Sequence, residues 1–372
     1  MKFSKVLLAA AILPQIALQA TEIPYYYDYG YPPPVSYVES FGTVVVGAEW
    51  LYMKPAVDEN YFSEKTVYAP GASGCISRQA PNLNWDSGFR VNLGFNLPCD
   101  QWALNVSYLY FWTTASHSDA FANNFPVINP GETVPLAGGI VPVLFNNVSE
   151  FFNGDYSTAG HWKWQFNQLD IDFSRISMIN RSITLTPRAG FRFIWSEQQL
   201  NTAFAFSGAG DSLQVGTYNK NRIDGFGIKF GLDSTWDIGF CGLSLYGNFD
   251  YSVLLSCVSL RQDLFLAETV AGSSPLTQDL TFKSNPKSLK QMATLAFGLQ
   301  WVKDFNCDSS FLIVKAGWEY IFLSGFNMLI ARDASGFVLE DFLDSTAVMP
   351  VSHTFRGDMG LYGLVLGADY YF

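Results

Sequence analysis

Ten stretches of the chain alternate between apolar and polar positions. They are Thr43–Lys54, Gly88–Leu97, Trp102–Thr113, Trp164–Phe173, Ile183–Trp195, Phe226–Trp236, Leu243–Leu255, Gln291–Trp301, Phe311–Phe322 and Gly360–Phe372. A period of two is that of a β-strand, whose successive side chains point to opposite faces. In Phe311–Phe322 the even positions are Leu312, Val314, Ala316, Trp318, Tyr320 and Phe322, and the odd ones include Lys315 and Glu319. In Ile183–Trp195 the odd positions run from Ile183 to Trp195 through Phe191 and Phe193, against Arg188 and Arg192. None of the ten apolar faces carries a charge in its middle; Lys54 stands at a strand end. A soluble sandwich also has apolar inner faces. However, its strands usually run about 5–6 residues, while a tilted membrane-spanning strand needs about 9–11. Aromatic residues at both ends of strands this long point to lipid.

The spacing of the strands gives a second test. Four connections are short, around Pro98–Asp100, Asn180–Arg181, Asp237–Gly242 and Lys303–Ser309. The other five, roughly 56–85, 115–161, 197–222, 257–289 and 327–355, are long. Short and long alternate, as they do between periplasmic turns and external loops of outer-membrane barrels. The pattern predicts an all-β chain forming one transmembrane antiparallel up-and-down β-barrel of ten strands. Twelve is the count if a long loop hides another hairpin.

Composition fits this picture. Aromatic residues make up 16% and charged residues 15%, against about 25% charged in an ordinary globular chain. The first 20 residues, with Lys2 and Lys5 before an apolar run and Ala20 at its end, read as a secretory signal peptide. Residues 21–41 form a Tyr/Pro-rich periplasmic segment, and 42–372 the barrel. Removing the signal takes the net charge from −11 to about −13, which speaks against nucleic acid. The expected surroundings are the outer membrane and its lipid.

Reversing the parity of the apolar faces gives the predicted lumen lining: Glu49, Arg90, Asn92, Asp170, Asp172, Arg188, Arg192, Lys229, Asp233, Asp250, Lys315, Glu319 and Asp369. The five basic and seven acidic groups allow two outcomes. They line water and set ion selectivity, or they pair across a narrow interior and plug it, since barrels of about eight strands are just filled by side chains. All three histidines, His117, His161 and His353, fall in the long connections, with Asp119 nearby. No zinc spacing, nucleophile motif or phosphate loop accompanies them, so no catalysis, metal or cofactor is expected. Cys99, Cys241 and Cys307 fall in the short turns, and Cys75 and Cys257 in or beside the long ones. The three turn cysteines are candidates for cross-links or for one internal bridge.

Five blocks in order resemble a known family: FGTVVVGAEWLYMKP, WDSGFRVNLGFNLPCDQWALNVSYLYFW, SITLTPRAGFRFIWSEQQLN, GFGIKFGLDSTWDIGFCGLSLYGNFDYSVLL and GLYGLVLGADYYF. The chain is similar over residues 40–372 to the major outer membrane proteins described from Legionella, with members among relatives of the chlamydiae. The resemblance implies a pore-forming barrel, hence a narrow diffusion channel for ions and small solutes. A plugged structural or adhesive barrel acting through its external loops is the alternative, and an omptin-like surface enzyme a third. It also implies that envelope proteins linked by disulfides are partners. The terminal strand ending in Tyr370 and Phe372 resembles the signal read by the barrel-assembly machinery. No pore residue is carried over from the family; the lining rests on parity alone.

Overall fold

The structure, a computed structural model, describes residues 43–58, 60–67, 75–97, 102–123, 139–142, 154–180, 182–208, 211–269, 274–305, 310–332 and 352–372. The signal-like and Tyr/Pro-rich segments, and Cys99 and Cys307, lie outside them. Among the described residues there are fifteen strands and no helix. In chain order these are β1 (Thr43–Val57), β2 (Ser63–Val67), β3 (Cys75–Gln79), β4 (Asp86–Asn96), β5 (Trp102–Asn123), β6 (Gly139–Pro142), β7 (Gly154–Arg175) and β8 (Ser177–Met178). They continue with β9 (Ile183–Gly208), β10 (Asp211–Phe240), β11 (Leu243–Thr269), β12 (Leu276–Ser284), β13 (Lys287–Phe305), β14 (Ser310–Arg332) and β15 (Ser352–Tyr371).

Ten of these close a ring in the order β1–β4–β5–β7–β9–β10–β11–β13–β14–β15, and β15 pairs back onto β1. Every pairing in the ring is antiparallel. Phe372 finishes the seam by exchanging two 3.0 Å backbone hydrogen bonds with Val44. A closed ring leaves no unpaired edge in lipid, which is the condition for strands to span a bilayer. The ten staves are those the alternation predicts. β8 and β12 bring the sheet to twelve strands, pairing with β9 and β11 outside the ring. β3, β2 and β6 make a separate three-stranded sheet.

The staves run further than the alternation predicts. The spans 197–222 and 257–289, read as external loops, are mostly strand: the outer halves of β9, β10 and β11, then β12 and the start of β13. The physical reason is an inversion of parity. In the lower half of β9 the apolar residues Phe191, Phe193 and Trp195 face outward and Arg192 inward. Higher up, Leu200, Phe204 and Phe206 are buried inside while Gln199, Asn201 and Ala203 face out. β11 repeats the switch, with Phe249 and Leu255 outward and Val258, Leu260 and Leu264 inward. Lipid demands an apolar outer face; above it water demands a polar one, and the apolar residues move to the interior. A search for one unbroken parity ends at the switch.

A filled barrel and its roofed mouth

All thirteen predicted lumen residues lie on the inward parity of their strands, and the ring brings them into contact. Arg192 grips Asp170 with two hydrogen bonds, Nε to Oδ1 at 2.8 Å and Nη2 to Oδ2 at 2.7 Å. Lys229 bonds to Asp170 at 2.8 Å and to Asp172 at 2.6 Å. Arg188 bridges Asp250 at 2.7 Å and Asp233 at 3.2 Å. Beyond the strands between them, Arg90 spans Glu49 and Glu319, each at 2.6 Å. Asn92 adds a 3.4 Å bond to Glu49, and Lys315 meets Asp369 at 2.5 Å. Arg192 is 1% exposed, and Asp170, Lys229 and Glu319 are each 2% exposed. A bare charge so deeply buried is very costly, so pairing is the condition for burial.

Glycine makes room for these pairs. A Cβ at Gly231 would run into the Asp250 carboxylate and come within 2.7 Å of Arg188 Nε. Gly231→Ala should therefore lower barrel stability by about 1–3 kcal/mol through forced displacement of the pair. Urea unfolding in lipid vesicles reads this directly; an unchanged midpoint would refute the steric account.

Immediately toward the mouth the interior becomes apolar. Leu51 follows Glu49 by two residues, Ile194 follows Arg192, and Ile321 follows Glu319; all three are buried. With Phe111, Trp162, Trp164 and Phe166 they belong to one buried cluster. Successive rings of Trp162, Trp164 and Phe166 lie 6.1 and 5.7 Å apart, and Phe111 lies 6.1 Å from Trp164. The Trp164 indole donates to Ser196 Oγ at 2.9 Å. The alternation of the lipid face gives no sign of this layer, because its residues sit on the opposite parity. The reappearance of apolar residues on that parity beyond each charged one is the clue.

Two segments roof the apolar layer. Between Leu323 and Asn327 the β14–β15 register shifts, with Gly325 at φ +68°. That conformation suits glycine, and an irregularity of this kind re-aims a strand. Lys290 caps the Gly325 carbonyl, and Asp358 Oδ1 accepts the Gly325 N–H at 2.6 Å. The redirected strand buries Phe326 and Met328. It then forms a strap to the β9–β10 wall, where Asn221 donates to the Phe326 carbonyl at 3.1 Å and Gln198 to Asn327 Oδ1 at 2.9 Å. On the other side Asn327 donates to the Asp58 carbonyl at 2.5 Å. Phe62 is the second roof element, 2% exposed and lodged over Gly160, where a side chain would collide with its ring.

The histidines are spread apart. His117 contacts Gln79 at 2.8 Å and Asn82 at 3.4 Å, and with His161 it lines a cavity of about 530 Å³ along β5, β7 and β9. His353 stands on β15 opposite Ala331 of β14, and Asp119 on β5 opposite Thr158 of β7. Among the described residues no group of three or more His, Cys, Asp and Glu side chains could hold a metal. Cys241 lies exposed in the β10–β11 turn and Cys257 exposed on β11; both are free thiols. On the outer wall above the lipid band Lys220 pairs with Glu197 at 2.8 Å. Partial burial would raise the Glu197 carboxyl, but hydrogen bonds from Lys220 and Gln199 outweigh it and hold the group below its ordinary value.

A closed antiparallel ring of ten strands with an apolar, aromatic-edged outer band and charges paired inside defines an outer-membrane β-barrel protein. The family model described as Legionella pneumophila major outer membrane protein precursor matches residues 42–372, and the chain belongs to that family. Its place is therefore the bacterial outer membrane. A search of curated proteins found no match. Among solved structures the chain is similar to the outer membrane protease OmpT from Escherichia coli, at 10% identity and a TM-score of 0.40, covering 89% of this chain and 96% of that one. It is also similar to a Pseudomonas aeruginosa FadL homologue, at 7% identity and a TM-score of 0.24, covering 91% and 92%. The Pseudomonas putida toluene transporter TodX gives the same four values.

Proposed function

We propose that the protein is a closed outer-membrane barrel with a structural or adhesive role, acting through the parts that stand above the membrane. The observation that supports this most is the filling of the interior. A layer of paired charges is stacked under an apolar layer, and the apolar layer lies under two roof segments. For an ion to pass, it would have to displace aromatic side chains and cross an apolar zone, where an unpaired charge is heavily penalised. The partners of this reading are outer-membrane lipid and the barrel-assembly machinery, with Tyr370 and Phe372 as the assembly signal. Exposed Cys241, in the β10–β11 turn, is a thiol from which a link to another envelope protein would start. No reaction is assigned to the rim histidines.

A narrow, gated diffusion channel is the second reading, and one observation favours it. Twelve charged side chains make up an interior layer that apolar residues could fill at equal or lower cost in stability. Charged rings under an apolar constriction are also elements of channel selectivity and gating. Planar-bilayer recording of the purified, folded protein decides between the two. The closed barrel is expected to be silent across the voltage range. Discrete, reproducible current steps would overturn it in favour of the channel.

A further inference from the structure

Four amide side chains line the inner wall at the strap and one inward position above it, toward the mouth. Gln198, Asn219, Asn221 and Gln262 are 2%, 3%, 3% and 1% exposed. They stand on three neighbouring strands, with Gln198 opposite Asn221 across β9–β10 and Asn219 opposite Gln262 across β10–β11. Directly opposed residues hold their Cβ atoms about 4.5–5.5 Å apart. Asn219 and Asn221 share one face of β10, so the four amides form a single patch.

Their nitrogen and oxygen ends are used very differently. Gln198 and Asn221 donate to the strap, and Asn219 donates to the Thr217 hydroxyl at 3.3 Å. The amide oxygens of all four are buried and accept no hydrogen bond from any described residue. The orientation of Asn221 is fixed, because the Phe326 carbonyl it meets can only accept. A buried acceptor without a donor is an unfavourable arrangement that native interiors avoid. Four in one patch have a common solution: one species that brings positive charge or several donors.

The chemistry narrows that species. The unpartnered groups are the negative ends of four amide dipoles, which repel anions. The patch contains no carboxylate, whereas protein sites for divalent hard cations draw on charged oxygens. Uncharged carbonyl oxygens grouped together are the ligands that replace the hydration shell of a monovalent cation. The charged layer below holds seven carboxylates to five cationic groups, a balance that favours a positive guest. The interior cation that meets the strap, Lys290, is already turned to the Gly325 carbonyl, the Met328 sulfur and the Phe326 ring.

We propose that Gln198, Asn219, Asn221 and Gln262 form a binding site for a small monovalent cation, an alkali metal or ammonium ion, beside the β14 strap. The site does not depend on whether the barrel conducts.

Thermal unfolding of the full folded barrel in detergent tests it. Sodium, potassium, ammonium and choline chlorides are compared at one ionic strength. Choline is too large to enter, so it supplies the baseline. At least one small cation should raise the midpoint by about 2 °C or more over choline, through preferential binding to the folded state. The rise should shrink in Gln262→Met, which keeps the side-chain length and removes one oxygen. Equal midpoints in all four salts, or a rise that Gln262→Met leaves unchanged, would overturn the proposal. A crystal of the unaltered protein soaked in thallium(I) gives an independent reading. Anomalous density among the four oxygens supports the site. Ordered water alone in that position sinks it.

Discussion

Asp170→Ala is expected to lower the stability of the folded barrel by about 3–5 kcal/mol, the largest loss for a single change in the charged layer. Asp170 holds both Arg192, at 2.7 and 2.8 Å, and Lys229, at 2.8 Å. Neither cation can reach water, since they are 1% and 2% exposed. Lys229 retains Asp172 at 2.6 Å, but Arg192 is left with Asp250 at 3.7 Å and the Ser252 hydroxyl. Most of the penalty therefore falls on Arg192. The double variant Asp170→Ala/Arg192→Met should recover more than half of the loss, because it removes the stranded charge and keeps the volume filled. Urea midpoints of wild type, both single variants and the double variant in vesicles close the cycle. If the double variant is no more stable than Asp170→Ala, the stranded charge is not the cause.

Trp164→Ala is expected to cost about 3–5 kcal/mol as well, by a different route. The indole is fully buried, packs between Trp162, Phe166 and Phe111, and gives its N–H to Ser196. Its removal leaves a void that a closed ring of strands cannot collapse to fill, and leaves Ser196 Oγ without its donor. The void also thins the apolar layer. Native protein is expected to be silent in a bilayer, and Trp164→Ala combined with Phe111→Ala should admit small, brief currents. An equally silent double variant would place the barrier to ions in the roof or the charged layer. Unfolding midpoints unchanged from wild type would remove the packing argument itself.

The lipid-facing half of the molecule is legible in the sequence because lipid imposes one rule on every stave. Trp50, Phe89, Trp112, Phe191 and Leu366 are all placed outward by parity alone. The lumen residues are legible for the same reason, as what remains on the other face. Their pairing is not. Arg90 and Glu319 lie 229 residues apart, and only ring closure brings β4 and β14 within reach across β1 and β15. The apolar layer and the strand extensions escape a reading that follows one parity, since Leu200, Phe204 and Leu260 answer to water rather than lipid. The four amides escape it too. Gln198, Asn219, Asn221 and Gln262 read as loop polarity until the strands are seen to continue through them.

The inversion of parity also fixes how far the protein stands from the cell. On β9 the last outward aromatic residue is Trp195, and the strand continues in register with β10 to Gly208. At about 3.3 Å per residue and a tilt of about 40°, those residues rise roughly 30 Å beyond the lipid boundary. The upper barrel is thus a pedestal of paired strands with a soluble protein's core. It carries the outer ends of β9 and β10 clear of the bilayer surface, where a large ligand or a neighbouring cell could meet them first.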